Sequence, residues 1–267
     1  MKDTQFCSLQ AVGLSVATAA AAETIVVGSV RAGLLQTFAG AAALCALAAL
    51  AALVWQSSRL PQTAKTMLRL LLAVWLAAEV CRTVVQAQQV CTQAFSSMAL
   101  LGLLPLLLWA GFRLAPQQWH SPAQVLWWFA VLGCAVCLLG LAHRMHWYRL
   151  LEPGSMTLRW QVPVYAEYAA LPLLCAPHDM RKGTRLPLLV FAVQGGAMLC
   201  QTLVFGSRDY PAAELLRAWR MQAFSRMDAL LLLIWLTCAI FRICFLCTAI
   251  RLVQPLGQKR AKGRIRE

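Results

Sequence analysis

The sequence predicts an all-α protein: a polytopic membrane helix bundle of about eight transmembrane helices, forming one membrane domain over residues 1–254 with a basic cytoplasmic tail over 255–267. Three observations carry that expectation. Of the 267 residues, 60% are hydrophobic and 13% charged. The apolar residues come in blocks of the ~17–25 needed to cross a bilayer rather than in the short stripes of a soluble core. The breaks between blocks are short and rich in Pro, Gly and Ser, which leaves no folded domain outside the membrane.

Taken in order, the predicted spans cover about 8–28, 33–55, 67–92, 97–114, 123–144, 160–176, 187–206 and 227–254. The first is alanine-rich and interrupted by Thr18, Glu23 and Thr24, a composition that suits close packing inside a bundle better than contact with lipid. The amino terminus MKDTQFCSLQ lacks the layout of a removable signal peptide, so this run is expected to be retained as a span. The second, AGAAALCALAALAALVW, is small-residue-rich as well. The connections are SSRLPQT, LAPQQWHSP, EPG, APHDMRKGTRLP and FGSRDYP.

The formal net charge is +14. A cytoplasmic amino terminus places Arg59, Lys65, Arg113, Arg181, Lys182, Arg185 and the basic tail inside, as the positive-inside rule asks. With the charge spread over loops and no soluble domain to carry it, no nucleic acid is expected as a partner; membrane lipid is. Eleven cysteines are scattered through apolar spans, and CAVC (134–137) and CFLC (244–247) read as small buried hydrophobes rather than metal or redox pairs. Trp119, Trp127, Trp128, Trp147 and Trp160 lie near span ends, where interfacial anchors belong. No nucleophile, metal or phosphate-binding constellation occurs at useful spacing, so neither an enzyme nor a cofactor is expected.

The polar residues inside the spans are the candidates for function. A carboxylate at mid-bilayer costs roughly 2.5–3.5 kcal/mol on insertion scales, so Glu167, in PVYAEYAALPLL, must face protein or a watery cavity. Pro163 and Pro172 flank it and predict a broken or kinked helix. Two roles stay open for Glu167, a ligand contact or a structural partner of a buried cation. Glu79 and Arg82 are three apart on one predicted helix face, a spacing that predicts mutual neutralisation in a buried polar network. The stretch AAELLRAWRMQAF (212–224) has the composition of an interfacial amphipathic helix or a subunit contact.

Residues 204–244 resemble the spore germination permease family, the membrane subunit of nutrient germinant receptors in endospore-forming bacteria. The resemblance lies in Phe205–Gly206, Tyr210–Pro211, the Arg226–Asp228–Ala229–Leu230 start of a Trp235-bearing span, and Phe241–Arg242. Glu167, Leu171–Pro172–Leu173 and the polar run His178 to Lys182 follow the family's order too. That family belongs to the amino acid–polyamine–organocation transporter superfamily. The resemblance therefore implies a shortened inverted-repeat transporter fold, eight helices in place of ten, with helices 1 and 6 interrupted and a small nutrient held near the midplane. In such a fold, freed carbonyls near Pro163 and the Glu167 carboxylate would hold an ammonium group, with Tyr165 and Tyr168 as rim donors and Gly13, Ser15 and Thr18 facing them from the first helix. The function implied is a germinant-sensing subunit partnered by other receptor subunits. The alternatives are a secondary transporter of amino acids or amines, and a membrane scaffold that binds no ligand.

Overall fold

The structure, a computed structural model, describes residues 6–24, 34–56, 61–96, 98–151, 164–205 and 227–254. Over these residues the chain is helical throughout: α1 (Leu9–Ala22), α2 (Leu34–Gln56), α3 (Gln62–Phe95), α4 (Ala99–Arg113), α5 (His120–Leu141), α6 (Ala166–Leu174), α7 (Met180–Gly183), α8 (Leu186–Phe205) and α9 (Met227–Val253). Four helical segments are long and apolar enough to cross a membrane: Phe38–Gln56, Pro116–Arg144, Pro177–Phe205 and Ala229–Val253. The chain is thus a helical bundle with the character of a membrane protein.

The other predicted spans take different forms. The 34 residues of α3 are about 51 Å long at 1.5 Å per residue, ample for the ~30 Å hydrocarbon core, and hold Glu79 and Arg82 in mid-helix. Two apolar helices, α1 with 14 residues and α4 with 15, reach only about 21–23 Å. Within the predicted sixth span, α6 has nine residues, about 14 Å. The reason is local: Tyr165 before it and Cys175 after it are both extended, and Pro172 inside it has no N–H for the helix ladder.

α9 is the axis. It packs against α3, α4, α1, α5 and α6, while α2 covers α6 and α8. From Phe241 to Ile250 every α9 residue is buried, with Arg242 and Thr248 enclosed among otherwise apolar side chains. α1 is its counterpart, buried from Ala11 through Ala20. Ser8 caps α1 by accepting from the Ala11 N–H at 3.2 Å. Small residues let it sit there, as the sequence suggested.

The outer helices bury one stripe and present apolar side chains outward. α2 buries Ala41, Leu44, Ala48 and Ala52 and exposes Leu47, Leu50 and Leu53; α3 buries Leu72, Leu76 and Val80 and exposes Leu71 and Val74; α5 exposes Trp128, Leu132 and Leu139. Apolar area of that extent suits lipid and not water.

Two seams fix the geometry around α9. At the α4 crossing a Cβ added to Gly111 would lie 2.5 Å from the Cys244 carbonyl oxygen and 2.7 Å from the Cys247 Cβ, so the two backbones meet where any side chain would intrude. The Thr248 hydroxyl donates to the Gly111 carbonyl at 2.6 Å and accepts from the Trp119 indole at 3.0 Å. Arg251 donates to the carbonyls of Phe112 (2.5 Å) and Leu114 (2.6 Å) at the end of α4, where the helix has carbonyls without partners of its own. Trp119 also packs edge-on against Phe241, with ring centroids 5.3 Å apart. It is therefore a buried wedge between α5 and α9 and not an interfacial anchor, whereas Trp128 and Trp147 are largely exposed. Its place was misread because position near a span end does not reveal which way a ring points.

Candidate functional site

The site is assembled around Arg242, on the axial helix. A guanidinium carries five N–H donors and no acceptor, so its burial in an apolar bundle demands acceptors on several neighbours. α3 supplies Glu79 and, one turn on, Thr83; α6 supplies Glu167; α1 supplies Ser15. Arg242 Nη2 donates to Glu167 Oε1 at 2.9 Å and to Glu79 Oε2 at 3.1 Å, Nη1 donates to Thr83 Oγ1 at 2.7 Å, and Nε points to both Glu167 Oε1 and Ser15 Oγ at 3.3 Å. Ser15 in turn donates its hydroxyl to Glu167 Oε1 at 2.9 Å, and Thr83 donates to the Glu79 carbonyl at 2.8 Å. The side chains are 1% (Arg242), 0% (Glu167) and 5% (Glu79) exposed, so these ion pairs operate at low local dielectric, where screening is weak.

Tyr165 completes the wall. Its ring lies 5.6 Å from the Arg242 guanidinium carbon, within cation–π range, and 5.8 Å from the Tyr168 ring. The hydroxyls of both tyrosines and Glu167 Oε2 are buried and have no hydrogen-bond partner among the described residues. Buried polar atoms are nearly always satisfied, so three orphans on α6 and the residue just ahead of it mark a place where polar contacts remain to be made. Gln194 of α8 is a fourth buried side chain in this condition.

α1 and α6 also meet through the backbone. The Cys7 N–H, just ahead of α1, donates to the Leu174 carbonyl at the end of α6, at 2.7 Å. At its other end α1 runs into a π-type turn at Glu23 and Thr24.

Of the residues singled out from sequence, Glu167, Tyr165, Tyr168, Ser15 and Glu79 come together here. Gly13 does not join them: a Cβ there would be in ordinary contact with Leu186, Trp127 and Leu189, so it is a packing position against α5 and α8. Thr18 bonds back to the Leu14 carbonyl at 2.7 Å, and its own carbonyl accepts from the Trp235 indole at 3.3 Å. Arg82 needs a correction. Its carboxylate partner is Glu23, at 2.6 Å; the Arg82 side chain is 45% exposed and that of Glu23 14%. Glu79 instead turns inward to Arg242. Spacing of three on a helix puts two residues near one another, but the partner delivered by another helix decides the pairing. Pro163, Gly206, Tyr210, Pro211, Arg226, Trp160, the 212–224 stretch and the basic tail lie outside the described residues, as does the side chain of Asp228.

Sequence reasoning placed Arg242 in a motif without giving it a partner, named Glu23 only as a polar break in the first span, and passed over Thr83. The signal for Arg242 was present: a guanidinium amid IFRICF needs buried acceptors, and the carboxylates within predicted spans were few. Comparison of the chain with family models, curated proteins and solved structures finds no match.

Proposed function

We propose that this chain is a membrane-embedded sensing subunit of the spore nutrient-receptor class, binding a small amine-bearing nutrient such as an amino acid between α1, α3, α6 and α9. The observation that carries the reading is the trio of buried polar atoms without a partner among the described residues, Glu167 Oε2 and the Tyr165 and Tyr168 hydroxyls, beside the ionic cluster of Arg242, Glu79 and Glu167. One acceptor carboxylate oxygen and two phenols match an ammonium group, whose three N–H bonds need that many acceptors. The extended residues on either side of α6 support an interrupted sixth helix, whereas α1 runs unbroken from Leu9 to Ala22 and does not show the break expected of the first. The eight-span, inverted-repeat organisation and the spore membrane as location belong to the same proposal, on the resemblance of residues 204–244. Ligand binding shifts a conformational equilibrium only through unequal affinity for its two states. A site whose wall is the short α6 held between two helices has a means of achieving that, by drawing α6 toward α9.

The test is binding of a panel of primary amines and amino acids to the full chain in lipid nanodiscs. Replacing Glu167 by Gln removes one charge-assisted contact, about 1.5–3 kcal/mol, and should weaken binding per folded chain about tenfold to more than a hundredfold. Unaltered affinity would overturn the ligand role of Glu167. A second reading, secondary transport, is favoured by the excess of carboxylates over guanidinium in the cluster, since coupled transport needs a group that changes charge. Amine uptake into proteoliposomes driven by a proton gradient would select it over sensing.

A further inference from the structure

The buried centre is short of positive charge. Among the described residues the ionisable groups facing it are Glu79 and Arg82 from α3, Glu23 at the end of α1, Glu167 with Tyr165 and Tyr168 from α6, Arg242 from α9, and the Cys45 thiol of α2 on the Tyr168 side. Arg82 is taken by Glu23. Two carboxylates are then left to one guanidinium, both bonded to the same nitrogen, Arg242 Nη2. Two like charges in one water-poor site cannot both be ionised cheaply, and the usual resolution is a proton held by the pair. The hydrogen bonding is lopsided in the way this requires. Glu167 Oε1 accepts from Ser15 and twice from Arg242, while Oε2 accepts from no described group.

We propose that the Glu79–Arg242–Glu167 cluster is a binding site for one exchangeable proton, shared between the two carboxyls, and that a monovalent cationic ligand displaces it. The proton count stands on the buried charges alone; the displacement rests on the ligand reading above. On exchange the carboxyl O–H bond breaks, its electron pair stays on oxygen, and the proton passes to water. An N–H···O bond from the ammonium forms at Glu167 Oε2, and the cluster is neutral before and after. Because proton and ligand compete, ligand affinity falls as pH falls, by about tenfold per pH unit where the proton-loaded form dominates.

Infrared difference spectroscopy of the full chain in nanodiscs tests both parts. At neutral pH in a sodium-free buffer, the protein should show the C=O stretch of one protonated carboxyl attributable to this pair. Glu79→Gln and Glu167→Gln should each abolish it, since one remaining carboxylate then balances Arg242. Should either variant fail to fold, the unaltered protein still decides the matter: alkaline titration must remove the stretch with release of one proton per chain. No such stretch, its survival in either variant, or its appearance only when sodium is withdrawn would overturn the proton site. Methylammonium chloride should remove the stretch and acidify a weakly buffered sample. A stretch that persists at saturating methylammonium would overturn the displacement and leave the proton count standing, while the amine and amino acid panel judges the ligand reading separately.

Discussion

Two ion pairs in this bundle share the same chemistry and differ in where they sit. Arg82 and Glu23 meet at 2.6 Å with the guanidinium 45% exposed, and Arg242 meets Glu167 at 2.9 Å and Glu79 at 3.1 Å with all three side chains at most 5% exposed. The shorter contact is the weaker one in consequence. The first pair is partly open, with the Glu23 side chain 14% exposed, and costs less to break than a fully enclosed one. The buried cluster has lost its solvent, so removing Arg242 strands two carboxylates at a cost of about 3–5 kcal/mol. Distance alone does not rank ionic contacts; what surrounds them does. The lesson extends to evolution of the site, because a buried cluster that is replaceable by apolar residues of similar size and is nevertheless charged is better explained by function than by stability.

That difference can be broken from either side. Arg242→Gln should be the most damaging change, leaving Glu79 and Glu167 facing one another, with a loss of about 3–5 kcal/mol read as a lowered unfolding midpoint in detergent or loss of protein from membranes. Replacing all three at once, by Glu79→Gln, Glu167→Gln and Arg242→Met, should restore most of that stability and abolish amine binding, which separates the structural from the functional requirement. Next in size is the close approach of α4 and α9. Gly111→Ala places a Cβ 2.5 Å from the Cys244 carbonyl oxygen and should cost about 1–3 kcal/mol through overpacking. Gly102→Ala, in the same helix with nothing within 4 Å of the added carbon, should leave stability unchanged or slightly raised. Smallest is Arg82→Gln, expected to cost at most about 1 kcal/mol in the same melts. A loss as large as that for Arg242→Gln would erase the contrast between the two pairs.

Much of this architecture was legible in the sequence for identifiable reasons. Block hydrophobicity and the scarcity of mid-span charge announce a helical membrane bundle, because lipid leaves few backbone options. The alanine-rich first run foretold the buried α1, and the two prolines around Glu167 foretold that its helix could not run long. What was not legible was pairing between distant helices. Glu79 and Arg82 are local neighbours in sequence, yet Glu79 turns to a residue 163 positions away, because five helices pack on α9 and no periodicity encodes which of them meet Arg242. Trp119 was misplaced for the same reason, its indole being claimed by Thr248, 129 positions away. Side-chain chemistry told which residues need partners, and only packing told which partners they have.

The central claim is that Arg242 and Glu167 are bound to one another in the core of the bundle, and a double-mutant cycle on that pair tests it most directly. Unfolding of the full chain in detergent would be compared for the unaltered protein, Glu167→Gln, Arg242→Gln and the double variant. The contact predicts a coupling of about 2–3 kcal/mol, with the double variant closer to the unaltered protein than the two single losses would sum to. Additive losses, with coupling near zero, would mean that the two side chains do not meet and would contradict the site described here.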